Sequence, residues 1–190
     1  MTTSRQESQW VLRAQCNDRE ALELLLRSVQ PSLHRYLSGL VGTRDADDVL
    51  QDVFILVCRK LTWLQAPELF RPWAFRIASR VGFRHLGKEK RRLEQGEDGA
   101  VLDAMPGPHA PPSNELLQEL LNSNALSPAS RAVLVLHFQE ELSLAEVAAI
   151  LEIPLGTVKS RLAFGLAALR KHLAMVRLTA EPTTPSTRSR

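Results

Sequence analysis

From Glu94 to Pro112 the chain reads EQGEDGAVLDAMPGPHAPP, and seven of these nineteen residues are glycine or proline. Proline removes a backbone donor and fixes φ, while glycine loses more backbone entropy than any other residue, so no regular element runs through this stretch. Its acids Glu94, Glu97, Asp98 and Asp103 also favour solvent over a core. The chain must therefore fold on either side of it, as two modules. With 190 residues there is room for two small cores, and 44% hydrophobic with 24% charged residues places the chain in the globular range.

The flanking segments repeat their apolar residues at three- and four-residue steps, with no alternating run that would mark a strand. The fold class is all-α: two small helical domains joined by a flexible linker, the C-terminal one containing a helix-turn-helix. Spacing predicts helices over about Glu7–Ser28, from Pro31 to an end at Gly39 and Gly42, over Arg44–Leu61 and over Phe70–Arg92. Pro31 suits a first turn, where its missing N–H is no loss. Further helices are expected near Asn114–Ser123, Pro128–Glu140, Leu144–Leu151 and Pro154–Val176, with Ser127 as cap and Pro128 in the first turn. From Thr179 the composition, TAEPTTPSTRSR, is that of a disordered tail.

Cys16 and Cys58 are far apart and outside any CxxC or Cys/His cluster, so neither a disulfide framework nor a zinc site is indicated, and both are expected to be buried thiols. The polar start MTTSRQESQW and the lack of an apolar run near 18 residues point to a cytoplasmic protein without membrane insertion. A net charge of +3 says little about partners, so the distribution of charge carries the argument.

RDADDVLQDVF sets Asp45, Asp48 and Asp52 at i, i+3 and i+7, on one helix face beside Gln51 and Asp47. Acids in a first turn complement the helix dipole, but Asp52 lies beyond that turn. The row therefore also fits a docking face for a basic partner. The fourth helix carries Arg76, Arg80, Arg84, Lys88 and Arg92 every four residues. Like charges at this spacing repel, and nothing within the helix returns that energy; a polyanion would. Phe70, Trp73, Phe75 and Phe83 interleave with them, the combination that stacks unpaired bases and grips their phosphates. Ile77 and Val81 read as plain core.

Ser143-Leu144-Ala145-Glu146 fits a capping box, and Val147, Ala148, Ile150 and Leu151 give the helix that follows an apolar face. EIP then breaks the chain, and a second amphipathic run carries Val158, Leu162, Leu166 and Leu169. Two short helices around such a turn make a helix-turn-helix. In that unit Leu155, Gly156, Thr157, Lys159, Ser160 and Arg161 open the second helix toward phosphates and base edges, while Val158 and Leu162 face inward. A phosphate-binding loop is the rival reading of GTVKS. It fails because no glycine directly precedes Lys159, the first glycine of GxxxxGK[ST] is missing, and a helix rather than a strand leads in. His34, His85, His109, His137 and His172 are scattered, and no catalytic constellation, metal site or cofactor site is indicated.

These segments together resemble the bacterial RNA polymerase sigma factors of the extracytoplasmic-function group. DADDVLQDVF looks like that family's core-binding segment, FRPWAFRIASR like its promoter-melting helix, and LSPASRAVLVLHFQEELSLAEVAAILEIPLGTVKSRLAFGLAALR is similar to its C-terminal domain almost end to end. The resemblance implies a region 2 domain over 1–93, a linker over 94–112, a region 4 domain over 113–176 and a tail over 177–190. It implies a non-enzymatic subunit that directs promoter-specific initiation and is commonly held in check by an anti-sigma factor. Asp45, Asp48, Gln51 and Asp52 would dock on the clamp helices of the polymerase's largest subunit, with region 4 reaching the flap of the second. Trp73, Arg76, Arg80, Arg84 and Lys88, with the loop from Thr62 to Leu69, would capture the minus-10 element as it melts. The first turn of the second helix would read the minus-35 element as duplex. A flexible linker of this length spans about 25 Å on average and roughly 70 Å extended, enough to hold two DNA-reading modules apart.

Five residues depart from the family's pattern. Arg80 and Arg84 stand where asparagine and aspartate are common, and Glu152 replaces the turn glycine, which is unfavourable if that residue takes positive φ. Phe164, like Leu166, occupies a place often basic, which predicts weak autonomous minus-35 binding. A stand-alone regulator of the LuxR class has a similar TVK helix but leaves the acidic row and the basic helix unexplained. An enzyme acting on nucleic acid would need metal ligands and a nucleophile that the chain does not present.

Overall fold

The computed structural model describes residues 4–94 and 126–180, all of it helix, turn and loop. The N-terminal unit contains α1 (Ser4–Gln15), α2 (Arg19–Val41), α3 (Ala46–Lys60) and α4 (Phe70–Glu94), with short 3-10 turns at Leu61–Trp63 and Pro67–Leu69 between the last two. The C-terminal unit contains α5 (Pro128–Leu134), continued by a π-helical turn over Val135–Gln139, then α6 (Leu144–Leu151) and α7 (Leu155–Ala180). The linker beyond Glu94, the helix expected near Asn114–Ser123 and the tail beyond Ala180 lie outside the described residues.

The first break in the chain is not where proline suggests. Instead of a helix to Ser28 and another from Pro31, α1 stops at Gln15 and α2 runs from Arg19 through Pro31 to Val41. Asn17 adopts φ 65°, and the Asp18 side chain accepts the Ala21 N–H at 3.0 Å, a strong signal for a new helix start. Proline in a helix interior costs about 3 kcal/mol, but Val29, Leu33, Tyr36 and Leu37 around it are fully buried. Burying a side chain such as valine or leucine stabilises by about 1.5–3 kcal/mol each, so packing outweighs the proline. Gly39 lies inside the helix, and Gly42, at φ 93°, caps it.

Val11, Leu25, Leu33, Val49, Val53, Val57, Phe70, Phe75, Ile77 and Val81 close the N-terminal core. At its centre Tyr36 meets Phe75 edge to face, with ring centroids 5.6 Å apart, and shares a 2.8 Å hydroxyl hydrogen bond with Ser79. Burial pushes the Tyr36 phenol well above its ordinary range, so it is a neutral core group. Arg71 Nε donates to both oxygens of the buried Glu7 carboxylate, at 3.0 and 2.9 Å, tying α1 to the start of α4.

In the C-terminal unit Val133, Leu134, Leu136, Val147, Ile150, Val158 and Leu169 form the core. Ser127 caps α5, and Ser143 with Glu146 makes the full capping box on α6. α7 continues to Ala180, past the Val176 end and into the tail expected from Thr179, because the first residue that could stop it is Pro182. Cys16 and Cys58 are both exposed rather than buried: one lies in the turn ending α1, the other on the outer side of α3 next to the buried Val57.

Candidate nucleic-acid interface

The acidic residues of α3 divide into two kinds. Asp45 precedes the helix without a side-chain cap bond, and its Oδ2 lies 3.1 Å from His85 Nε2 on α4. Asp48, Gln51 and Asp52 are exposed and engage no partner among the described residues. Val49, Val53 and Val57 on the opposite side anchor the helix, so its acidic face is held outward by the core. Asp52 borders a shallow groove between α3 and α4, opposite Arg84 and Lys88.

On α4 the basic stripe turns to the surface while the aromatics mostly do not. Arg80, Arg84, Lys88 and Arg92 are exposed, and Arg76 and Trp73 are half-buried. Phe70 and Phe75 are fully packed in the core, so neither can stack on a base; their apolar area is worth more against Tyr36 and its neighbours than at the surface. Phe83 is half-buried. The aromatic that is open is Trp63, 76% exposed in the loop before α4. Gln15 fixes that loop by donating through Nε2 to the carbonyls of Leu61 and Leu64 at 2.9 and 2.8 Å. Helical spacing singles out neither residue, because Gln15 acts across 46 residues and Trp63 ends a three-residue 3-10 turn too short to carry a period, although Trp63 lies within the Thr62–Leu69 loop to which the family resemblance points.

The helix-turn-helix forms as its spacing implies. Glu152 takes φ 56° and ψ 43°, the left-handed conformation that favours glycine, and turns the chain between α6 and α7. Leu155, Gly156, Lys159 and Ser160 are exposed on the opening turns of α7, Thr157 and Arg161 are half-buried, and Val158 is fully buried against the core. Thr157 N–H donates to the Pro154 carbonyl at 2.9 Å, so the first turn is set before Lys159 leaves the helix. Phe164, one turn beyond Ser160, is 73% exposed.

The two units touch along two seams. In one, Arg131 on α5 donates through Nη1 to the Gly39 carbonyl at 3.0 Å, and Arg35 on α2 donates to Glu140 Oε1 at 3.3 Å. Burial lowers the Arg131 guanidinium below its ordinary range. In the other, Arg80 Nε donates to Glu152 Oε2 at 3.0 Å and its Nη2 to Oε1, a two-pronged pair. Hydrogen bonding from Arg80 holds the Glu152 carboxyl below its ordinary value of 4.5, and Arg76 adds to that through its charge.

The sequence between these surfaces matches two known profiles, Sigma-70 region 2 over residues 25–92 and Sigma-70, region 4 over residues 124–171. RNA polymerase sigma-H factor of Pseudomonas aeruginosa is 30% identical over 178 residues, covering 85% of this chain and 91% of that protein. The chain belongs to the sigma-70 family of RNA polymerase sigma factors. Within it this sigma factor falls in the ECF group: ECF RNA polymerase sigma-E factor of Escherichia coli K12 is 29% identical over 164 residues, covering 80% of this chain and 86% of the relative. The fold agrees with the crystal structure of the sigma factor RpoE with the anti-sigma factor NepR from Bartonella quintana, at TM-score 0.66 and 24% identity, over 80% of this chain and 96% of that one. Among the described residues of the sigma factor no helix is long and apolar enough to cross a membrane.

Proposed function

We propose that this sigma factor binds core RNA polymerase through the exposed face of α3 and reads promoter DNA at two places, acting in the cytoplasm without catalytic activity of its own. Its region 2 domain spans residues 1–93 and its region 4 domain 113–176, with a linker over 94–112 and a tail over 177–190. Asp48, Gln51 and Asp52 form the docking face for the clamp helices, with Asp45 at its edge held by His85. Trp73, Arg76, Arg80, Arg84 and Lys88 contact the minus-10 element as it opens. Leu155, Gly156, Thr157, Lys159, Ser160 and Arg161 meet the minus-35 element. Trp63 joins the minus-10 set, because an indole this exposed beside a basic helix is suited to stack an unpaired base. An anti-sigma factor covering these faces is the fitting regulator.

The observation that carries the docking assignment is the acidic row itself. Asp48 and Asp52 are carboxylates projecting from a rigidly packed helix, with no partner among the described residues to neutralise them. A basic surface is their natural complement. Asp52→Arg should weaken copurification with core polymerase about tenfold or more while leaving the thermal melt near that of the parent, since Asp52 is exposed. Unchanged affinity for core would refute the docking face.

A further inference from the structure

Phe164 leaves most of a phenyl ring in water on the helix that opens with Thr157, Lys159 and Ser160. It is 73% exposed, and helical rotation places it within about 40° of Ser160 and about 6 Å further along α7, on the same outward side. That direction is fixed from behind. Val158 and Leu169 are buried, and Gly165 backs onto Leu134 so closely that an added Cβ would come within 2.8 Å of Cδ1, so α7 cannot roll to bury the ring. Ala163 and Ala167, exposed beside it, are too short to reach past it, and between Ser160 and Lys171 the phenyl group is foremost on this face. Its surroundings suit a polyanion: Lys159, Arg170 and Lys171 are exposed along the helix, and no acid occurs from Leu155 to Ala180.

We propose that Phe164 is a specificity residue for the upstream promoter element, its ring packing on the 5-methyl group of one thymine in the major groove. The inference rests on the assignment of the opening turns of α7 to minus-35 DNA made above. Base edges in that groove present donors and acceptors throughout, and the thymine methyl is the apolar group among them. A phenyl ring offers neither a donor nor an acceptor, so against guanine O6 and N7 or the cytosine N4 amine it would strip water from groups it cannot pair. Against the methyl it buries apolar area on both sides. Selection thus has an attractive and a repulsive half, both supplied by one side chain. At about 3.4 Å per base pair, the step of about 6 Å from Ser160 to Phe164 puts this thymine within about two base pairs of the one Ser160 meets.

The test uses the full chain with core polymerase, on a promoter selected from a random library. Each thymine of the upstream element, on either strand, is replaced in turn by deoxyuridine, which removes the methyl and leaves every hydrogen-bonding group in place. One replacement should weaken holoenzyme binding about three- to fivefold, the loss expected for one buried methyl. Phe164→Ala should bind thymine and uracil at that position alike, with a thermal melt and a core affinity matching the parent, because the ring is exposed. A promoter in which no methyl matters, or methyl effects that all persist in Phe164→Ala, would overturn the proposal. Loss of core affinity in Phe164→Ala would overturn it too, by making the ring a protein contact. Failure of the sigma reading itself would register earlier, as no promoter selected by the parent holoenzyme.

Discussion

Glu146 shows how a single side chain sets a local element. Its carboxylate accepts hydrogen bonds from Ser143 N–H at 2.8 Å and Ser143 Oγ at 2.7 Å, which hold its pKa below the ordinary 4.5. A carboxyl whose folded pKa is lowered contributes stability above its unfolded pKa and loses that contribution as pH falls through the folded one. Ser143→Ala should therefore destabilise by about 1 kcal/mol in urea unfolding at pH 7. Glu146→Gln should be less stable than the parent at pH 7, and the gap should narrow as pH falls through the lowered folded pKa and the parent carboxyl becomes protonated as well. A gap that does not change with pH would mean that the charge plays no part in the cap. Glu152 is the other informative residue. Its unfavourable backbone and the departure at Arg80 are separate oddities along the chain, and in space they are partners.

At the scale of elements, legibility followed the range of the forces involved. The capping box at Ser143, the cap at Ser127, the turn before Leu155 and the inward Val158 were all readable, because each depends on residues within four positions. The outward acidic face of α3 was readable for the same reason: its period is its geometry. The break at Asn17 was not, because Pro31 is the louder local signal and only the buried Val29, Leu33 and Leu37 allow a helix to pass through it. Phe70 and Phe75 share the basic helix with Arg76 and Arg80, yet burial separates them, and sequence neighbours do not reveal which side a core will claim. Helix packing also makes two glycines behave oppositely. A Cβ on Gly165 would come within 2.8 Å of Leu134 Cδ1, itself fully packed, whereas one on Gly87 meets nothing. Gly165→Ala should destabilise by about 1–2 kcal/mol, overpacking outweighing the helical preference of alanine, and Gly87→Ala should stabilise by about 0.5–1 kcal/mol. Paired denaturant titrations check both, and a gain at Gly165 would show that Leu134 has room to move.

The whole molecule is governed by what the two domains do to each other. A chain divided at a linker could have been two independent modules, and nothing in its periodicities announces that α2 receives Arg131 or that α4 receives Glu152. The arrangement leaves the acidic row of α3 and Trp63 exposed while engaging Arg80, so the face proposed for polymerase docking is open where part of the proposed DNA surface is paired within the chain. The central claim is that the chain gives core RNA polymerase promoter specificity, and run-off transcription tests it most directly: purified core with and without the full-length protein, on a pooled library of promoter fragments. The account predicts transcripts from discrete start sites on a subset of templates, dependent on the protein. Binding neither to core nor to any template, with no transcript above core alone, would contradict it.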